Sequence, residues 1–533
     1  MHNGGYYLGV DVGSASVRAG LYDARGQRLA FAVRPISQFR HGADQVEQSS
    51  AEIWRQVCAA VREAVDGAQV DRQRIRSLGF DATCSLVAID GDERGVSVAQ
   101  DGAPDRDIIM WMDHRAAQET AEINASGDDA LRYVGGEVSI EMELPKVLWL
   151  KRHFPQRYQQ TARFFDLADF LVWKATGNDV ASLCTLTCKW NYLAHEGRFS
   201  MPLLRAVGLD DLLTKIPGRI IDIGAPAGQL SARAAGELGL PPGVVVASGI
   251  IDAHAGGLAL IGGQPQGALA IISGTSNCHM LVNKAQLETP GVWGPYWSAM
   301  LPGWWLTEGG QSAAGSLIDW TLRQQGQSAQ LFSAADAQGL HPVALANRWV
   351  AQLEQHEPLP TRHLHVLADH HGNRSPRANP HARGSVCGLT LESGEPALAR
   401  LYLATLQAIA YGTRHIIDAM EQAGHRITHL VMCGGATHNP LWLREYADIA
   451  GRDIHLMREE DAVTLGAAIC GAVACGAWPD FPAACGALAQ PGETLRARPE
   501  MAAFHQRKYQ VYLQLYEQQQ ALDRIMADAA DGK

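Results

Sequence analysis

Short apolar runs broken by small turn residues open the chain. Residues 7–12 and 17–22 read as two strands around a Gly13-Ser14-Ala15-Ser16 turn, and residues 23–27 supply the next reversal. Far downstream the pattern returns: apolar runs at 268–273 and 277–282 flank Gly274-Thr275-Ser276. Solenoid units recur every few tens of residues, so a single recurrence at this long spacing predicts two related domains that face one another. Between the hairpins, helix-period stretches at 50–65 and 113–124 alternate with apolar strands at 75–80 and 86–89. The second half alternates likewise. A helix at 396–423, a strand at 428–433, a helix at 441–450 and a small-residue helix at 462–475 precede an amphipathic helix at 501–526. This alternation predicts α/β layers. Pro241-Pro242-Gly243 breaks a helix before a strand and a Gly-rich turn, which places the boundary near residues 246–251. The expected organisation is an N-terminal domain at 1–247, a C-terminal domain at 248–499 and a terminal amphipathic helix at 500–533.

Length and charge narrow the function. A chain of 533 residues exceeds what one hydrophobic core fills, which agrees with two domains. A net charge of −11 disfavours a general nucleic-acid or anionic-membrane surface, because either needs a basic face to displace counterions. The start of the chain lacks a charged region followed by an apolar run, and no later stretch stays apolar for the length of a membrane span. The expectation is a soluble, cytoplasmic protein. Of ten cysteines, only Cys184 with Cys188 and Cys470 with Cys475 lie close together, and neither pair has the two-residue gap of zinc knuckles or redox motifs. They read as buried free thiols in a reducing compartment.

Glycine turns lined by hydroxyls suit phosphate, because backbone N–H groups approach its oxygens where no Cβ intervenes and Ser or Thr adds donors. Both hairpin turns qualify, and two matching turns point to a phosphate clamp. The rival nucleotide motifs are missing: no Gly-x-x-x-x-Gly-Lys-Ser/Thr occurs, and no Gly-x-Gly-x-x-Gly follows a strand. Asp11, at the end of the first strand, would face bound phosphate and hold Mg²⁺ through its water shell; its alternative is a turn cap. Asp252 follows an apolar strand in Gly249-Ile250-Ile251-Asp252-Ala253-His254, among small residues that leave room for a ligand. It is a candidate general base, with a helix N-cap as the alternative. Gly434-Gly435 joins a strand to a helix, where a flat ring can lie against the backbone.

Taken in order, residues 11–18, 249–254, 274–276 and 434–439 resemble the motifs of the FGGY family of carbohydrate kinases, within the actin, hexokinase and Hsp70-like ATPase superfamily. The resemblance implies two actin-like, ribonuclease H-like α/β domains with an active-site cleft between them, ATP and Mg²⁺ as cofactors, and a small sugar as substrate. It assigns Asp11, Gly13, Ser14, Ser16 and Arg18, with Gly274, Thr275 and Ser276, to the phosphates. Gly434, Gly435 and Asn439 go to the adenosine, and Asp252 to catalysis beside the sugar. Residues 79–85, 111–116, 273–279 and 371–376 look most like the ribulokinase-like branch and its D-ribulose kinase relatives, which implies a ketopentose and brings Asp81, Thr83 and Asp113 to the sugar site. Pro145-Lys146-Val147 and Glu308-Gly309-Gly310-Gln311-Ser312 are similar to segments that carry a substrate-contacting lysine and glutamate in L-ribulokinases, which adds Lys146, Glu308 and Gln311. Plain alternatives are a turn cap for Asp81, a helix cap for Asp113 and a solvated charge for Lys146. A homodimer is implied by the resemblance alone. The competing readings are a kinase for L-ribulose, xylulose or ribitol, and an actin-like ATPase that modifies no sugar.

Overall fold

The computed structural model describes residues 4–42 and 44–530, excepting the side chains of 527–530. Two large sheets carry the molecule. In the first, the order is Pro226–Gln229, Val245–Ala247, Ile75–Ala82, Tyr6–Val12, Ser16–Tyr22 and Arg28–Pro35, with Ile250–Ile251 also paired to Ile75–Ala82. In the second it is Trp293–Trp297, Trp305–Gln311, Asn277–Asn283, Ala268–Ser273, His429–Gly434, Ile454–Met457 and Pro491–Leu495. The sheets repeat one plan. Tyr6–Val12 is antiparallel to the strand after its turn and parallel to Ile75–Ala82, and Ala268–Ser273 stands the same way to Asn277–Asn283 and His429–Gly434. Their central strands are buried on both faces, which is why they read as nearly continuous apolar runs.

Two helices join the sheets. Asp252–Ile261 leaves the first sheet after Ile250–Ile251 and packs on the second, where Gly256 lies against Ile272 and Gly257 against Met280 and Met300. Ala462–Ala474 runs the other way and packs on Tyr6–Val12 and Ile75–Ala82. Its small residues permit backbone contact: a Cβ on Gly9 would meet the Thr464 carbonyl oxygen at 1.8 Å, one on Gly79 the Ala467 oxygen at 1.8 Å, and one on Gly466 the Ala255 oxygen at 2.0 Å. Glycine is required there by close approach. Tyr22 and Thr464 share a 2.6 Å hydrogen bond, and Arg18 donates to Asp461 at 2.7 Å, so the first hairpin is fastened to this helix.

A smaller five-stranded sheet of Phe39–His41, Gln45–Gln48, Ile108–Ile109, Leu86–Asp90 and Thr161–Asp166 flanks the first domain. The terminal helix Ala502–Ala530 docks on the long helix Glu395–Gln422, with Tyr411 and Tyr509 stacked at 6.1 Å. The helix expected at 113–124 starts later, at Ala117, because Asp113 folds back onto Arg115 in the preceding turn. Six cysteines are buried, but Cys387 is exposed, contrary to a uniformly buried set; its strand Ser385–Cys387 lies in a separate two-stranded ribbon. Among the described residues no helix is long and apolar enough to cross a membrane.

Candidate active site

Strand register assembles three carboxylates from distant parts of the chain. Asp11 pairs with Arg18 across the hairpin and with Asp81 on the parallel neighbour, and Ile250, two residues before Asp252, also pairs with Asp81. Asp11 and Asp81 are fully buried, whereas Asp252 is partly exposed. Asp11 Oδ2 accepts from Arg18 Nε at 2.5 Å, and apart from the hydrogen bond that the Asp11 and Asp81 carboxyls share, Asp11 Oδ1 and both Asp81 oxygens are buried without a partner. Burial pushes the Asp11 carboxyl up against the opposing pull of Arg18. Burial, and then the neighbouring charge of Asp11, push Asp81 well above the usual carboxylate range. The same causes raise Asp252 to about 6, held from rising further by the Ala253 N–H that it accepts at 2.6 Å. Ile251 is the helix N-cap and Asp252 the first helical residue, so the helix dipole favours its ionised form. Hard oxygen donors with open lone pairs suit Mg²⁺, and Asp11 and Asp81 present them.

The two glycine turns close alike, with Gly13 N–H donating to the Ser16 carbonyl at 3.0 Å and Gly274 N–H to the Ser276 carbonyl at 2.8 Å. A Cβ on Gly13 would meet nothing closer than 3.6 Å, and one on Gly274 nothing closer than 4.0 Å. Neither glycine has a positive φ. Nothing within the chain demands glycine there; the space over each turn is open for a ligand. Ser14 Oγ accepts from Trp111 Nε1 at 2.9 Å and keeps its own proton to donate, and Ser16 and Arg18 stand on the outgoing strand. The second turn is braced from behind, where the Ala314 and Gly315 N–H groups donate to the Thr275 and Gly274 carbonyls. Thr275 is exposed and Ser276 half-buried.

A second charged cluster adjoins Asp252. His254, two residues along the helix, donates Nε2–H to Glu308 Oε2 at 2.9 Å. Burial would raise Glu308, but Lys189, His254 and Arg374 outweigh it and lower the carboxyl to about 2. Lys189 is 3% exposed and lies over the Trp293 ring at 4.5 Å. Arg374 donates to Glu141 at 3.0 Å, packs against Gly310 and places the 371–376 segment beside Glu308. Cys278, on the strand after the second turn, feels the charges of Glu308 and Asp252, so Asp252 lies between the carboxylates of the first sheet and the charged cluster of the second. Lys146 is fully buried rather than solvated; Nζ donates to the Glu141 carbonyl at 3.0 Å and lies 3.7 Å from Glu143. Thr83 is buried and bonds Ser85 at 3.2 Å.

Four expected site residues have their polar groups taken by the protein or their identity set by the backbone. Asp113 accepts from Val46 N–H at 2.6 Å and from Arg115 Nε and Nη2 at 2.8 and 2.7 Å, in a buried clasp that also includes Glu47. Gln311 accepts from Asn277 and Thr413 and donates to the Ile409 carbonyl. Asn439 caps helix Pro440–Ala450 and bonds Asn347 and Tyr402. Gly434 has φ 89° and abuts the Ser273 carbonyl, while a Cβ on Gly435 beside it would meet nothing closer than the same carbonyl oxygen at 3.8 Å. Lys189, His254 and Arg374 escaped the sequence reading as site residues. The signal for Arg374 lay in the 371–376 segment and that for His254 in the 249–254 segment; Lys189 had no local one.

A model described as the N-terminal domain of the FGGY family of carbohydrate kinases matches residues 6–259, and the corresponding C-terminal-domain model matches 269–475. The chain is 44% identical over 544 residues to an FGGY carbohydrate kinase domain-containing protein of Danio rerio, covering 98% of this chain and 99% of that relative. It is 37% identical over 512 residues to a D-ribulokinase of Saccharomyces cerevisiae, covering 88% of this chain and 72% of the relative. Among solved structures, a xylulose kinase from Rhodospirillum rubrum superposes with a TM-score of 0.81 at 23% identity over 97% of this chain and 99% of that one, a likeness of the two-domain, actin-like α/β fold.

Proposed function

The chain belongs to the FGGY family of carbohydrate kinases, and on that premise we propose that it transfers the terminal phosphoryl group of ATP to the terminal hydroxyl of D-ribulose, giving D-ribulose 5-phosphate. The observation that carries the reading is the position of Asp252, partly exposed between the Asp11 and Asp81 carboxylates and the Glu308, Lys189 and Arg374 cluster. The ketopentose assignment is supported by the D-ribulokinase relative and by the segments around Asp81, Glu308 and Arg374.

In this reading the open turns at Gly13 and Gly274 receive the phosphates through backbone N–H groups, with Ser14, Ser16, Thr275 and Ser276 as further donors. Arg18 holds Asp11 in place, and Gly435 leaves room for the adenosine. Asp11 and Asp81 would hold Mg²⁺, which neutralises phosphate charge when bound. Glu308, Lys189 and Lys146 recognise the sugar hydroxyls. Asp252 takes the hydroxyl proton as the oxygen bonds to the γ-phosphorus, and the bond from that phosphorus to its bridging oxygen breaks, so that ADP leaves with the electron pair. Closure of the two sheets about the crossed helices would exclude water that otherwise competes for the phosphoryl group.

The test is a panel of D-ribulose, L-ribulose, xylulose and ribitol with ATP and Mg²⁺, read by coupled ADP release and by identification of the product. D-Ribulose is expected to give the highest kcat/KM and a 5-phosphate. A higher kcat/KM on another member moves the assignment to that sugar, and ADP release that no sugar stimulates ends the proposal.

A further inference from the structure

Behind Glu308 lies a group of side chains with no part in phosphoryl transfer. Helix Leu183–Lys189 places Cys184 and Cys188 one turn apart on one face. Helix Asp252–Ile261 aims His254 Nδ1 at both, 3.2 Å from Cys184 Sγ and 3.9 Å from Cys188 Sγ. All three residues are buried, and their ligand atoms lie within 4.8 Å of one another. Because His254 Nε2–H is given to Glu308, Nδ1 is the nitrogen that can release its proton and turn a lone pair to the sulfurs when a cation binds. A carboxylate fixing the tautomer of a ligating histidine in this way is the usual outer shell of a metal site.

Geometry and charge agree. Tetrahedral coordination with metal–sulfur bonds of about 2.3 Å and a metal–nitrogen bond of about 2.0 Å sets sulfur–nitrogen edges near 3.5 Å and a sulfur–sulfur edge near 3.8 Å. The two observed sulfur–nitrogen distances bracket that edge, so closure needs only side-chain adjustment. Two thiolates, a neutral imidazole and a divalent ion sum to zero charge, which a buried site requires. The thiolates select a soft ion and reject Mg²⁺, which separates this site from the nucleotide's. We propose that Cys184, Cys188 and His254 bind one thiophilic divalent cation of zinc's chemistry. The ion displaces two protons to solvent, one from Cys188 and the one that Cys184 and His254 share, ties the two helices together and fixes the imidazole that holds Glu308. Binding rests on this geometry alone, whereas an effect on sugar affinity rests also on the reading of Glu308 given above.

The experiment strips the full chain with a chelator and titrates it with Cd²⁺, following the ultraviolet thiolate-to-metal charge-transfer band. One tightly held equivalent is expected, weakened at least about tenfold in Cys188→Ala and lost in the Cys184→Ala, Cys188→Ala double variant. A band unchanged in the double variant comes from the other thiols and overturns the site. X-ray absorption on the wild-type zinc complex needs no variant: two sulfurs and one imidazole nitrogen are expected, and a shell of oxygens, or no ion retained through gel filtration, overturns it. Kinetics of loaded against stripped enzyme are expected to move the sugar KM and leave the ATP KM in place. A bound ion with no change in sugar KM overturns the coupling to Glu308, a result distinct from failure of the sugar panel, which tests the reaction itself.

Discussion

Replacing Asp252 with Asn removes the proton acceptor and keeps the shape. A positioned base contributes about 10²- to 10⁴-fold to rate, so kcat is expected to fall by that factor, or about 3–5 kcal/mol of transition-state stabilisation. The wild-type carboxyl, at about 6, is ~97% ionised near pH 7.5 and ~9% ionised near pH 5, so wild-type kcat/KM should fall about tenfold between them. The variant should show no such limb. Stability moves the other way. A carboxyl raised from 3.8 to about 6 binds its proton more tightly when folded, so its contribution is fully favourable below the unfolded value and is lost as pH rises through the folded one. At neutral pH the ionised Asp252 therefore costs folding free energy, and the Asn variant should melt no lower than wild type. Coupled ADP release across pH, isothermal titration with ATP and thermal melting read the three quantities. Turnover near wild type, or an acid limb that persists in the variant, refutes the assignment of the base.

Glu308→Gln removes the charge that Lys189, His254 and Arg374 share, so the sugar KM should rise about 10- to 100-fold while the ATP KM stays, as initial-rate kinetics will show. Gly13→Ala enters open space and should leave the melting temperature unchanged while raising the ATP KM. Gly434→Ala must place a Cβ 2.2 Å from the Ser273 carbonyl oxygen at φ 89°, and should cost about 1–3 kcal/mol in urea unfolding. Asp113→Ala leaves Arg115 with one carboxylate partner fewer in a buried clasp and should cost about 3–5 kcal/mol. A change confined to sugar KM, with stability intact, would instead assign Asp113 to the substrate.

What could be read before the structure, and what could not, divides by the range of the forces involved. The two hairpins were legible because their strands are buried on both faces, so the apolar runs and the glycine-hydroxyl turns between them are local signals. Asp252 was legible for the same reason, since the strand before it and the small residues after it mark a carboxylate at a strand-to-helix junction. Asp113 carries equally local signals, yet its fate is set by Val46, Glu47 and Arg115, which a strand pairing of Gln45–Gln48 with Ile108–Ile109 brings to it. The lysines make the contrast sharper. Lys146 and Lys189 are both buried charges that must each find a partner, and a stretch of sequence cannot say which. Lys146 finds Glu143 within its own helix, whereas Lys189 meets Glu308 only because helix Leu183–Lys189 of one domain packs beside strand Trp293–Trp297 of the other, the neighbour of the strand that carries Glu308. A site built at a domain junction is therefore least visible at the residues that close it, since Lys189 waits for a partner more than a hundred positions away and His254 for one more than fifty away.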